Sequence, residues 1–248
     1  MLTNETISKL RQMRLIGMAE AYEQQLQQCF TAISFDDRFG SLVDQEWYKR
    51  SNRRIYALQK QAGFVDSSAC LEDLDYSPER KLDAELIQRL ALGDYLRHAH
   101  NVIITGATGA GKSFLAQALG VAACRQKFKT KYLRLNDLLE ILGEEKDKGL
   151  LLFQKSRKTF ETVDLLILDE FLLFALNEEE SKLLADIVER RYRHTSTIVI
   201  SQFEPAEWIP QIPNALAAES ITDRLANHGY SIFIDGLTSM RKRYAFLD

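Results

Sequence analysis

The octapeptide Gly106-Ala-Thr-Gly-Ala-Gly-Lys-Ser113 fits G-x-x-x-x-G-K-[S/T], the spacing with which a backbone wraps a chain of phosphates. Gly106, Gly109 and Gly111 carry no Cβ, so the main chain can turn through angles closed to other residues and approach phosphate oxygen closely. Lys112 is expected to reach the β- and γ-phosphates and Ser113 to hold Mg²⁺ through its hydroxyl. Ala107, Thr108, Ala110 and Phe114 are counted among the nucleotide contacts. The β-branched run Asn101-Val-Ile-Ile-Thr105 comes directly before the loop, and the helix formers Phe114 to Cys124 follow it. A bound anion would therefore sit at a helix N-terminus, where the dipole favours it. The expected chemistry is binding of ATP with Mg²⁺; a glycine-rich turn that binds nothing is the plain alternative.

A second constellation lies further along. Val163-Asp-Leu-Leu-Ile-Leu-Asp169-Glu170 is an almost continuous apolar run that ends in two carboxylates. Such a strand belongs inside a parallel sheet, buried on both faces. Its end opens onto the crevice where open α/β sheets bind ligands. Asp169 is expected to complete the Mg²⁺ shell, and Glu170 to polarise the water that attacks the γ-phosphate. An acid beside the metal aspartate favours hydrolysis over transfer to a small molecule.

These groups need a sheet to hold them. From Leu82 onward, candidate strands at 101–105, 130–135, 163–169, 197–201 and 230–234 alternate with helical stretches. That order predicts an α/β core with a parallel five-stranded sheet covered on both faces. Residues 1 to about 62 read as helix throughout. Asn4 caps a first helix carrying Ile7, Leu10 and Met13, and Gly17 breaks it before a second helix at Met18 to Gln28. Ser34 with Asp37 opens a longer third helix, with Phe35, Phe39, Leu42 and Val43 on its apolar side. Gly63 to Ser68 reads as a loop and Pro78 as a breaker. A junction is thus expected between 65 and 75, separating a small all-α N-terminal domain (1–70) from the core (71–248).

With 248 residues, 46% of them hydrophobic, the chain can bury a full core, with room for one large domain or for one large and one small. A net charge of −3 leaves any nucleic-acid binding to local patches. Cys29, Cys70 and Cys124 lie far apart with no C-x-x-C, which points to a reducing compartment and away from structural zinc. The first residues lack a basic segment followed by a long apolar one, and no apolar run approaches a membrane span. The expectation is a cytoplasmic protein that engages no membrane. His98 and His100 read as structural.

Several separated segments resemble the IstB-like ATP-binding proteins, transposition helper ATPases of insertion sequences and relatives of the DnaC helicase loader within the AAA+ class. The resemblance covers nearly the whole chain. It runs through Asn52-Arg53-Arg54, Ala62-Gly63-Phe64, Leu71 to Asp75, the phosphate loop, the acidic strand and Arg191-Tyr192. It continues through Thr197 to Gln202 with Trp208, Ile221-Thr-Asp-Arg224-Leu225, and Ser239-Met-Arg241-Lys242. The resemblance implies an AAA+ P-loop NTPase core with ATPase activity. In it Ser201 and Gln202 stand where a polar sensor reads the γ-phosphate, and Arg241 where a second sensor arginine lies near the nucleotide. Arg224 stands where an arginine finger enters a neighbouring subunit's ATP, joining Lys112 and Glu170 as the catalytic set. The resemblance also implies an ATP-dependent homo-oligomer on double-stranded DNA, with a transposase as partner. A DnaC-like loader would instead engage a replicative helicase. The chain departs from the pattern in two places: Phe171-Leu172 follow the acidic pair where glycine is expected nearby, and Pro213 to Ser220 match loosely.

Between Glu46 and Asp66 there is no acidic residue, while Lys49, Arg50, Arg53, Arg54 and Lys60 fall in that interval. On a helix, Trp47, Ser51, Ile55, Leu58 and Ala62 line one side, leaving Lys49, Arg50, Arg53 and Lys60 on the other. These five cations are the expected DNA contacts, made to backbone phosphates without base readout. A solvated helix face is the plain alternative. A second cluster, Lys155, Arg157 and Lys158, precedes the acidic strand. Readings from other classes are a P-loop phosphotransferase with an arginine-rich lid and a non-hydrolysing ATP switch.

Overall fold

The computed structural model describes residues 2–27, 33–227 and 229–235. The chain divides into two compact units, Met1–Ala57 and Leu58–Asp248. The division falls inside a helix, earlier than the junction expected between 65 and 75. The reason is local: Leu58 and Ala62 bury themselves with Phe64 against Cys124 of the second unit.

The first unit holds α1 (Leu2–Gln12), α2 (Ile16–Leu26) and most of α3 (Phe35–Ala62). The break expected at Gly17 falls instead at Met13–Leu15. There Leu15 N–H bonds to the Leu10 carbonyl and Arg14 N–H to that of Arg11, with Arg14 in the left-handed region at φ 61°. This is a Schellman end made without glycine. Gly17 sits inside α2, where an added Cβ would lie 2.8 Å from the Gln45 carbonyl oxygen of α3. Its smallness serves helix packing, not helix termination. Ser34 caps α3 as expected, its Oγ accepting the Asp37 N–H at 3.1 Å. The apolar side of α3 differs from expectation: Leu42 and Glu46 are buried, whereas Phe35, Phe39, Val43 and Trp47 are exposed.

In the second unit, short 3₁₀ turns at Leu71–Asp73 and Pro78–Arg80 lead to α4 (Ala84–Ala91) and α5 (Asp94–Arg97). Then come β1 (Asn101–Gly106), α6 (Lys112–Arg125), β2 (Thr130–Arg134), α7 (Leu135–Lys148), α8 (Leu150–Thr162) and β3 (Leu165–Asp169). The remainder is α9 (Glu178–Arg191), β4 (Ser196–Ile200), α10 (Pro205–Trp208), α11 (Ala215–Ala226) and β5 (Gly229–Ile234). All five expected strands form, in the order β2-β3-β4-β1-β5 and every pair parallel. The third is shorter than the apolar run because Val163 is the C-cap of α8 and the Asp164 carboxylate accepts the Lys129 N–H at 2.7 Å.

Alternate strand residues feed two cores, as a sheet covered on both faces requires. Ile103, Leu166, Leu168 and Val199 pack with α7, α8, α9 and α11. Val102, Ile104, Ile167, Ile198 and Ile200 pack with α4 and α6. Arg191, at the end of α9, is fully buried and joins these layers through bonds to the carbonyl oxygens of Phe160 (2.7 Å) and Val163 (2.9 Å) and to Thr197 Oγ1 (3.0 Å). Burial pushes its guanidinium pKa down, opposed by the Asp164 carboxylate. Among the described residues, no helix is long and apolar enough to cross a membrane.

Candidate nucleotide site

β1 stops at Gly106, and the chain turns through Ala107–Gly111 into α6. Gly106, Gly109 and Gly111 adopt φ of 139°, 80° and 91°. Only glycine takes such angles freely, so the loop's shape follows from the three positions the sequence singles out. Gly106 also passes close to β5, where a Cβ would stand 2.2 Å from the Ile234 carbonyl oxygen. Ala107 and Thr108 are exposed, Ala110 is buried, and Ser113 and Phe114 are half-buried at the start of α6. Arg80, itself buried, braces the loop by donating to the Ala110 carbonyl.

Lys112 is buried and folded back on the loop, its Nζ donating to the carbonyl oxygens of Gly106 (2.7 Å) and Ala107 (2.9 Å). Burial pushes its pKa below the ordinary lysine value, and the nearby Asp169 carboxylate opposes the shift. A cavity of about 770 Å³ opens beside the loop, lined by Lys112, Ser113 and Phe114 together with Leu74, Asp75 and Arg80. Pockets of this size hold small organic ligands.

Asp169 ends β3 and is 6% exposed. Its Oδ1 accepts the Glu170 N–H at 2.8 Å and its Oδ2 the Tyr132 hydroxyl at 2.5 Å. Glu170 lies in the left-handed region at φ 52°, as does Leu172. A non-glycine residue there costs about 1–2 kcal/mol. The loop is held in that state by core contacts: Phe171 is buried, packs edge-on against Trp208 at 4.8 Å, and donates its N–H to the Ile200 carbonyl at 2.9 Å. Packing thus fixes the turn where glycine was expected nearby. The Glu170 carboxylate faces Arg134 at the end of β2, with Oε2 3.6 Å from Nε.

The two sensor-1 candidates are unlike. Ser201 is buried, and its hydroxyl donates to the Phe171 carbonyl while accepting from Phe203 N–H and Trp208 Nε1. Gln202 is exposed. Arg224, on α11, is bound within its own chain to Glu189 of α9 and to Ser220. Arg241 lies outside the described residues.

The cations of α3 divide as well. Lys49 pairs with Glu20 of α2 at 2.5 Å and Arg50 with Glu46 of α3 at 2.6 Å, so the side of α3 opposite Trp47 meets α2 here and is not the open cationic stripe expected. Arg53, Arg54 and Lys60 are exposed. Of the second cluster, Arg157 is bound to Glu161 and Asp186, while Lys155 and Lys158 are exposed. Sequence reasoning missed Tyr132, Arg134, Arg80 and Glu189. The first two had one available signal, an i, i+2 pair at the end of a strand next to the acidic one.

A phosphate loop between β1 and α6, with an acidic pair delivered by β3 of the same parallel sheet, defines a P-loop NTPase fold. Comparison with known proteins narrows this class. The chain belongs to the IstB-like ATP binding protein family, which matches residues 8–246. It is 43% identical over 203 residues to an insertion sequence IS1162 ATP-binding protein of Pseudomonas fluorescens, covering 82% of this chain and 87% of that one. It is 35% identical over 244 residues to an insertion sequence ATP-binding protein of Sinorhizobium fredii, 98% of each chain being covered. Among solved structures, the DnaC helicase loader is similar in fold, with a TM-score of 0.52 and 19% identity over 60% of this chain and 86% of that one.

Proposed function

We propose that the chain binds ATP with Mg²⁺ and hydrolyses it as a helper of DNA transposition, assembling on double-stranded DNA and activating or targeting a partner transposase. The observation that carries the reading is the meeting of two elements: Lys112 and Ser113 opening α6, and Asp169-Glu170 closing β3. Support for the setting comes from relatives that bear the names of insertion sequences.

In this reading Lys112 leaves the carbonyls of Gly106 and Ala107 for the β- and γ-phosphates, exchanging neutral acceptors for charged ones. The Ser113 hydroxyl and the buried Asp169 carboxylate are oxygen donors, which suits Mg²⁺, a hard cation usually held by one or two protein groups plus phosphates. Bound there, the cation would neutralise charge on the transferring phosphoryl group. Glu170 turns from Arg134 and takes a proton from the attacking water. Gln202 and Arg241 are assigned to sensing the nucleotide, and Arg224 to the ATP of a neighbouring subunit in an ATP-dependent homo-oligomer. The α3 cations, of which Arg50, Arg53, Arg54 and Lys60 are exposed, take DNA phosphates.

A second reading, a loader of a replicative helicase, is favoured by the likeness in fold to the DnaC helicase loader. Retention of a transposase or of a helicase by the tagged protein separates the two. The core claim is tested by phosphate release with and without double-stranded DNA. DNA-stimulated hydrolysis is expected in the intact protein, with loss in both Lys112→Ala and Glu170→Gln and ATP binding retained only in the latter. Full activity in Lys112→Ala would overturn it.

A further inference from the structure

Tyr132 has no part in the hydrolysis just proposed, yet its hydroxyl holds the acid at the centre of the site. It lies on β2, the edge strand beside β3, and is 8% exposed. In the parallel ladder Tyr132 stands opposite Ile167. Side chains two residues apart share a face of a strand, so the phenol and Asp169 are diagonal neighbours, within reach of a long side chain. Tyr132 Oη donates to Asp169 Oδ2 at 2.5 Å, and Oδ1 accepts the Glu170 N–H. The carboxylate is therefore fixed at both oxygens, and each keeps a further lone pair for a cation or its bound water.

The ring that carries this hydroxyl is itself held. Phe64 packs on it with centroids 6.3 Å apart. Phe64 in turn fills the space over Gly120 of α6, where a Cβ would come within 2.6 Å of its ring. Helix α6 begins with Lys112 and Ser113. The stack Gly120–Phe64–Tyr132 thus sets the Asp169 carboxylate in register with the helix that opens the phosphate loop.

We propose that Tyr132 is a positioning residue that fixes Asp169, through its hydroxyl, for the divalent cation that accompanies the nucleotide. The proposal rests on Asp169 being the metal aspartate. Hydrogen-bond donors behind a metal's own ligands typically contribute about 10–100-fold in metal affinity. Tyr132→Phe keeps the ring against Phe64 and removes only the donor.

The test uses the full chain with a non-hydrolysable ATP analogue and Mn²⁺ as the probe, bound cation being read by electron paramagnetic resonance. In Tyr132→Phe the Mn²⁺ dissociation constant is expected to rise about tenfold or more, while analogue binding in EDTA stays at the wild-type level. The Mg²⁺ concentration for half-maximal phosphate release should rise in parallel, with the rate at saturating Mg²⁺ restored. Unchanged Mn²⁺ affinity in Tyr132→Phe, with binding lost in Asp169→Ala, would overturn the proposal. Unchanged affinity in Asp169→Ala would overturn the assignment of Asp169 beneath it. Should Tyr132→Phe fold poorly, Phe64→Leu, which loosens the ring and spares the hydroxyl, should weaken Mn²⁺ binding in the same direction; no change there would equally overturn it.

Discussion

Arg224 of α11 and Glu189 of α9 form an ion pair within one chain, the guanidinium Nη2 meeting the carboxylate Oε2. The arginine also donates through Nη1 to the Ser220 carbonyl at 3.2 Å and lies 5.8 Å from the Tyr192 ring. Its buried Nε has no partner among the described residues. An arginine assigned to a neighbour's ATP therefore starts held at home, with part of its donor set unused.

Release of that hold should favour assembly. Glu189→Gln is expected to lower the protein concentration needed for ATP-dependent oligomers by up to about fivefold, the scale of a partly exposed ion pair of ~1 kcal/mol. Arg224→Ala should abolish those oligomers and cut hydrolysis by about 10³. Light scattering with and without nucleotide, alongside phosphate release, reads both. Oligomers that form equally well in Arg224→Ala would end its assignment as a finger.

The cations of α3 should contribute unequally to DNA binding. Lys49 and the exposed Arg50 are held by Glu20 and Glu46, whereas Arg53 and Arg54 are exposed with no ion pair among the described residues. Replacing Arg53 and Arg54 with Ala should flatten the log–log salt dependence of DNA affinity by about two units, one for each phosphate no longer neutralised. The Lys49→Ala, Arg50→Ala pair should change it by less, since those side chains must first leave an internal ion pair. Fluorescence anisotropy of labelled duplex DNA across a salt series measures both slopes. The reverse order would remove Arg53 and Arg54 from the interface.

Ser201 and Gln202 should separate stability from catalysis. Ser201→Ala deprives the Phe171 carbonyl and the Phe203 and Trp208 N–H groups of a buried partner. A cost of about 1–3 kcal/mol in urea unfolding is expected, followed by circular dichroism. Gln202→Ala should stay within about 0.5 kcal/mol of the parent and instead slow hydrolysis. A stable Ser201→Ala protein with impaired hydrolysis would assign the sensor role to Ser201.

What could be read from the sequence was what short stretches determine by themselves. The phosphate loop is local, since its three glycines, preceding strand and following helix are contiguous. The strands were legible because apolar runs of that length have few other uses, and their ends slipped where apolar residues serve equally as caps, as at Val163, or open the next helix, as at Leu135. Gly17 looks like a helix breaker in sequence because its purpose, room for the Gln45 backbone, belongs to another helix. The α3 stripe differs from its spacing for a related reason: Glu46 is buried because it accepts the Met18 N–H at 3.1 Å and pairs with Arg50. Tyr132–Asp169, Arg134–Glu170 and Glu189–Arg224 depend on strand register and helix packing, which no spacing within a single element encodes.

The close approach of Gly106 to Ile234 bears on how the protein is made. Strand β1 is paired on one side by β4 and on the other by β5, both of which come later in the chain. The ribosome therefore releases the phosphate loop long before it releases the strand against which the loop's first turn is shaped. A product of interrupted translation that stops short of β5 bears the nucleotide signature without its supporting neighbour. The first turn of the loop gains that neighbour only once β5 has emerged, not when the signature does.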